Sequence, residues 1–356
     1  MQIGGFPGAP AGGGTYATGG TITDISGYRI HAFNSSGTFT TTSSWPSGRT
    51  IEYLVVAGGG SNDIFGQNGG GPGAGGLLTA SGTVLAASTN YVATIGAAGG
   101  AMSNGANSSL IGGVVSVTAL GGGGSTLNGP GQNGGSGAGG IGSAAGNQFG
   151  GSGTAGQGNA GASGTGKQDS TESGGGGGAG YAGGITTGPN FSNYQGGFGL
   201  ISTIFPTVTS STTATTPGNN LYLSYTFTID SGLWFTAGQP ISVTNPGNAN
   251  LSMCGIVTSY SGTNLVCLLR LASNVGYSTS ASSWNINCAY AGGGAGSVAS
   301  GISLAGLGGG GGQYGNSYPT EWRGGAPNSG GGGFYGNELA IYQGGSGVVL
   351  IKYAYP

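Results

Sequence analysis

The sequence predicts an all-β protein: an antiparallel β-sandwich-like scaffold carrying a glycine-rich bundle of polyglycine II-type helices, with a small β module inserted. Three observations predict it. Glycine supplies 90 of 356 residues, mostly in runs broken only by Ala, Ser, Asn or Gln, such as 134–140 and 174–178. The apolar segments between the runs are short, β-branched and aromatic. One long stretch, 200–291, is under a tenth glycine and interrupts a texture that is otherwise rich in it.

Glycine runs have almost no side chain to bury, yet they carry a full set of main-chain donors and acceptors. Such a chain stays disordered or pairs its backbone laterally. Ordinary disorder combines low hydrophobicity with high charge, whereas charged residues here make up 4% of the chain and the formal net charge is −2. Collagen needs a strict Gly-X-Y period with abundant proline, and 13 prolines without that period do not supply it. A Gly/Ser linker remains the default reading of the composition. A bundle of extended threefold helices is favoured over it. A structureless excursion across 121–197, about two in five residues glycine, would be improbable inside a compact domain.

Taken in order, residues 1–20 read as an extended N-terminal arm of Gly, Ala, Pro and Thr. Residues 21–199 read as the glycine-rich domain, scaffold strands followed by the bundle. Tyr28–Phe33 and Gly37–Thr40 alternate, and a turn at Trp45–Gly48 leads into the continuous apolar strand Thr50–Val56. Leu77–Thr79, Thr83–Leu85, Tyr91–Ile95 and Val114–Ala119 read as further strands. Residues 200–291 form the inserted β module. Residues 292–356 return to the glycine-rich texture and end in the apolar strand Val348–Tyr353, expected to pair with the first sheet.

Six Lys and Arg in the whole chain leave no basic footprint for nucleic acid. No run approaches the roughly 20 apolar residues of a membrane span, and Met1–Gly5 has neither the basic nor the apolar part of a signal peptide. Cys254, Cys267 and Cys288 read as small buried hydrophobes, and one His without Cys-x-x-Cys spacing gives no support for zinc.

Several motifs look chemical. Gly161–Lys167 fits the first seven positions of a phosphate-binding loop, but Gln168 stands where Ser or Thr would hold Mg²⁺, and neither an apolar strand before nor a helix after is legible. His31 could act as a general base, although in an alternating strand a half-exposed role is expected. Asp169 and Glu172 sit in a polar tract and read as a solvated turn. No catalytic constellation, cofactor site or metal site is legible, so the chain is not expected to be an enzyme. What stands out is aromatic content outside strand patterns. Tyr181, Phe191, Tyr194 and Phe198 precede the module, and Tyr314, Tyr318, Trp322, Phe334 and Tyr335 follow it, all among Gly, Ser and Asn. Rigid amphipathic rings mixed with small polar residues suit adaptable recognition and stacking on sugar rings. The alternative is that these rings cap the glycine layers as core.

The strings Gly27–Phe33 through Phe39, Ile51–Gly60 and Gly344–Tyr353 resemble the glycine-rich domain of bacteriophage tail and virion proteins. The inserted segments Phe227–Ile229, Phe235–Gln239, Gly255–Thr263 and Ser282–Ile286 resemble a small β module of phage tail-fibre proteins. The bundle is similar to the layered polyglycine helices of the distal adhesins of T-even-type phages, whose tip loops bind the host. No β-helical platform like theirs is legible, so their mode of attachment is not carried over. The resemblance implies a virion protein, on the tail or capsid surface, that recognises host polysaccharide or an outer-membrane protein. The receptor-binding candidates are Tyr181, Phe191, Tyr194, Tyr314, Tyr318, Trp322, Phe334 and Tyr335. It further implies other virion proteins as partners of residues 1–20, and a homotrimer. Alternatives are a purely structural capsid-decorating or fibre-joining protein, and a cellular adhesive or ice-binding protein.

Overall fold

The computed structural model describes residues 15–25, 27–62, 69–126, 129–143, 146–167, 170–184, 195–217, 223–271, 280–296, 306, 308–311, 324–333 and 343–355. Its regular elements are all strands, every strand pair is antiparallel, and no helix occurs among the described residues. The first strands are β1 (Ala17–Thr18), β2 (Thr21–Ile25), β3 (Tyr28–Phe33), β4 (Gly37–Thr41), β5 (Thr50–Val56), β6 (Leu77–Val84), β7 (Asn90–Thr94), β8 (Ser108–Gly112) and β9 (Val115–Ala119). Two short hairpins follow: β10 (Gly142–Ser143) with β11 (Gly146–Asn147), and β12 (Thr165–Lys167) with β13 (Ser170–Glu172). Next come β14 (Leu200–Ile201), β15 (Val208–Ser210), β16 (Ala214–Thr215), β17 (Leu223–Thr228), β18 (Pro240–Asn245), β19 (Asn248–Ser261), β20 (Asn264–Leu271), β21 (Ser280–Ala281) and β22 (Trp284–Tyr290). β23 (Val348–Ala354) closes the chain.

Two five-stranded sheets, ordered β1-β4-β7-β8-β9 and β2-β3-β23-β5-β6, share one core. β23 takes an interior place between β3 and β5. The continuous apolar runs of β5 and β23 follow from burial on both faces. On one face Tyr53, Val55, Val349, Ile351 and Tyr353 meet Phe39, Tyr91 and Leu110 of the other sheet and Trp45 of the turn between β4 and β5. On the opposite face Leu54, Val56, Val348 and Leu350 join a core with Phe205, Trp234 and Tyr290. That second core continues into a seven-stranded sheet built wholly from β14 to β22, so the β2-β3-β23-β5-β6 sheet is the middle of three layers.

The strand reading of Leu77–Thr79 and Thr83–Leu85 as two elements resolves into the single β6. Opposite Glu52 its register shifts between Ile51 and Tyr53, and Gly82 there has φ +75°. Glycine in the left-handed region lets the strand bulge and continue. β2 and β8, Thr-Ile-Thr-Asp-Ile and Ser-Ser-Leu-Ile-Gly, are too polar to have been read as strands.

The glycine tracts are joined laterally by main-chain hydrogen bonds. Tract 69–76 bonds to six others, through Gly60 to Gly73, Gly73 to Gly123, Ser136 to Ala74, Ala74 to Gly177, Gly294 to Pro72, and Gly75 to Gly330, donor first. A strand in a sheet has neighbours on two sides only. The bonds also recur every third residue. Gly71 donates to Gly174 and Ala74 to Gly177; Gly137 donates to Asn159 and Gly140 to Ala162; Gly174 donates to Gly140 and Gly177 to Gly137. Close approach explains the composition. A Cβ on Gly73 would collide with the Ser136 carbonyl, and one on Gly122 with the Gly73 carbonyl.

Candidate functional site

The strand registers give the molecule two ends. Val56 pairs with Val348, Leu77 with Val56, and Ser108 with Ala119, and beyond each of these the chain enters a glycine tract. Ala57 donates to Gly76, Gly347 to Gly96, and Gly96 to Ser108 Oγ, which welds the tracts to that end of the sandwich. Tyr16, just after the first described residue, lies at the other end, where its carbonyl accepts from Thr42.

Cations and rings converge at the Tyr16 end. Arg29 grips Asp24 through Nε and a terminal nitrogen, both at 2.7 Å, and its guanidinium lies 3.6 Å from the Tyr355 ring centroid. That grip holds the Asp24 carboxyl below its usual value, against the opposing effect of burial. Arg49 stands 4.2 Å from the Tyr16 centroid and 5.8 Å from those of Trp45 and Tyr353. Lys352 Nζ pairs with Glu52 at 2.6 Å, donates to the Thr203 carbonyl at 2.9 Å and lies 5.3 Å from the Tyr28 centroid. The Thr203 hydroxyl donates to Glu52. Arg49, over the Tyr16 ring, and Arg29, over the Tyr355 ring that meets Tyr16 edge-on at 5.8 Å, thus pin the place where residues 15–16 join the sandwich, while Lys352 ties the opposite face of the sheet to Thr203. The sequence reading missed this cluster; its signal is Lys or Arg beside Tyr at strand ends.

At the glycine end, Tyr181 is 57% exposed and packs edge-on to Phe198, ring centroids 6.0 Å apart. Gly180 and Tyr181 both donate to the Phe198 carbonyl, fixing the ring pair on the tract. Phe191, Tyr194, Tyr314, Tyr318, Trp322, Phe334 and Tyr335 lie outside the described residues. The described residues that flank them are tied into the glycine body: Gly184 donates to Gln195, Gly311 to Gly332, Gly325 to Gln343, and Gly333 to Gly60. Phe149, 75% exposed where tract 148–154 begins, is an aromatic residue that the sequence reading passed over.

A family model described as Glycine-rich domain matches residues 34–250 of the chain. The chain belongs to that family. No curated protein and no solved structure matches it. The glycine-rich domain match runs from just before β4 through the tracts and into β19.

The motifs with chemical appearance have structural duties in this glycine-rich domain. The main-chain N–H groups of Gly161, Ala162 and Gly164, which a phosphate would need, donate to the carbonyls of Gly151, Gly175 and Gln148. Thr165–Lys167 then enters the β12–β13 hairpin instead of opening a helix. His31 is fully buried between the two sheets, which corrects the expectation of a half-exposed residue. The cause is its place in β3: it shares the face of Phe33, and Phe39 and Tyr353 close over it. Cys254, Cys267 and Cys288 are buried. Burial pushes the Cys288 thiol up to about 12 and moves Cys267 in the same direction. Among the described residues no group of three or more His, Cys, Asp or Glu could hold a metal ion, and no helix is long and apolar enough to cross a membrane.

Proposed function

We propose that the chain is a bacteriophage virion structural protein, a tail-fibre or adhesin component that displays recognition residues on a rigid glycine body and contacts the host surface. The tracts are read as polyglycine II-type helices. Such helices turn once every three residues and point successive N–H groups to different neighbours. The three-residue recurrence of bonds and the six partners of tract 69–76 support this reading.

The observation that carries the functional reading is the polarity of the molecule. Tyr16 is clamped at one end, whereas the residues flanking the aromatic-rich segments 185–194, 312–323 and 334–342 belong to the glycine body that leaves the other end. Attachment through residues 1–20 to another virion component would therefore leave the glycine body projecting. Contact with host polysaccharide or outer-membrane protein, weak at each copy, would gain from display of several copies, and a homotrimer is the assembly we propose. The test is adsorption. Purified protein added in excess should block attachment of the parent virion to its host, and antibody to the glycine body should label the particle surface. Unimpeded attachment at saturating protein would remove the recognition role, and unlabelled particles would remove the virion assignment.

A further inference from the structure

The flank of the glycine body carries a groove of about 420 Å³ lined by Asn104, Asn107, Leu120, Asn133, Ser152 and Thr154 together with four glycines. Its walls come from tracts 95–107, 120–126, 131–141 and 148–154, each cross-linked to its neighbours by main-chain bonds. The polar side chains are held in fixed orientations. Asn104 Oδ1 accepts from the Gly124 N–H at 2.8 Å, and its Nδ2 donates to the Asn133 carbonyl at 2.9 Å. Asn107 Oδ1 accepts from Gly121 at 2.9 Å and Asn133 Oδ1 from Ser152 at 2.7 Å, while the Thr154 hydroxyl donates to the Gly134 carbonyl at 2.8 Å.

Two consequences follow. Three main-chain donors on this flank, those of Gly121, Gly124 and Ser152, are already capped by side chains. In turn, with Oδ1 tied down, the NH₂ groups of Asn107 and Asn133 are oriented and hydrogen-bond to no other described residue. The groove therefore presents pre-aimed amide donors and, in the 37% exposed Leu120, one apolar surface. None of its lining residues is charged.

We propose that this groove binds a neutral glycan chain. Hydroxyl oxygens accept from the Asn107 and Asn133 amides, the C–H face of a sugar ring lies on Leu120, and the lack of charge disfavours acidic polysaccharides. This deepens the adhesin reading, on which its biological setting rests, by naming the ligand class and moving it from the aromatic segments to the flank.

The test uses the full chain and saturation-transfer NMR with titration calorimetry. The probes are maltoheptaose, a dextran oligomer, a mixed-linkage β-glucan oligomer and, as the acidic comparison, oligogalacturonate. The decisive variant is Asn107→Asp with Asn133→Asp. A carboxylate still accepts from Gly121 and Ser152, so the caps survive, but both donors are lost. Binding of at least one neutral oligomer, weakened about tenfold or more in the double variant at unchanged melting temperature, is expected. Absence of binding by every neutral oligomer, equal binding by the double variant, or equal binding of oligogalacturonate would each overturn the groove. If instead neutral oligomers bind as expected while virion adsorption proves independent of this protein, the groove stands and the adhesin reading falls.

Discussion

His31 Nε2 accepts a hydrogen bond from the Tyr353 hydroxyl at 3.2 Å in the middle of the sandwich, while its Nδ1–H donates to the Gly19 carbonyl at 2.6 Å. The carbonyl can only accept, so the neutral tautomer with the proton on Nδ1 satisfies all three groups. Tyr353 stays protonated, its hydroxyl pushed up to about 12 mainly by burial. The pair joins β3 to β23, and the Nδ1 bond fixes Gly19, the residue that follows β1.

A pH dependence follows from this pair. Burial is the main cause that lowers the His31 pKa below its ordinary 6.5, partly opposed by the Gly19 bond and assisted by Arg29. A depressed folded-state value means that the unfolded chain takes up the proton first as pH falls. The His31 contribution is therefore complete above pH 6.5 and is lost progressively below it. Asp24, also depressed, acts in the same sense but at lower pH, from its ordinary 3.8 downwards. Melting temperature should decline between pH 7 and 5, and His31→Phe should flatten that decline while lowering stability by about 1–3 kcal/mol at pH 7 through the unpaired Gly19 carbonyl. Thermal melts across this range decide it; an unchanged slope in the variant would show that another group titrates.

Interior and surface glycines should respond in opposite ways to the same substitution. A Cβ on Gly73 meets the Ser136 main chain, which cannot retreat without breaking its own bonds, whereas one on Gly100 meets nothing. Gly73→Ala should destabilise by about 1–3 kcal/mol or more, as overpacking does. Gly100→Ala should be neutral or stabilising by up to about 1 kcal/mol, since alanine restricts the unfolded chain. Urea denaturation of both variants tests this, and equal effects would mean that the tracts are not close-packed.

Much of the architecture was legible because it follows from side-chain patterns. The unbroken apolar runs of Thr50–Val56 and Val348–Tyr353 pointed to strands, and their burial on both faces explains why no polar residue alternates before Lys352 in the second run. Other features were hidden. β8 reads Ser-Ser-Leu-Ile-Gly because only Ser108 and Leu110 turn fully inward. The Asn caps carried a signal that composition alone obscured: Asn104 and Asn107 are three apart and cap Gly124 and Gly121, also three apart. The cation–ring cluster depends on Tyr16, Arg49 and Tyr353, which are brought together only by the sheet order.

Amide hydrogen exchange should report the lateral bonds directly. Gly137, Gly140, Gly151, Gly161 and Gly164 each donate to a carbonyl of another tract, in a region with few side chains to exclude water. Peptides covering 134–140 and 150–164 should exchange far more slowly than an unstructured glycine-rich chain, on the timescale of cooperative opening. Exchange within seconds across both peptides would mean that these bonds do not persist in solution.

The β14–β22 sheet and the sandwich should unfold together. Leu350 and Val348 from β23 share one core with Phe205, Trp234 and Tyr290, and Lys352 reaches the Thr203 carbonyl across the same boundary. Separating the layers would expose the buried side chains of Leu54, Val56, Val348 and Leu350 on β5 and β23. Leu350→Ala removes buried side chain at that boundary and should cost about 2–5 kcal/mol. Calorimetry should show one transition in the native chain, moved to lower temperature as a whole by the substitution. Two separate transitions in the native chain, with the substitution moving only one of them, would show that the layers are energetically independent despite their shared core.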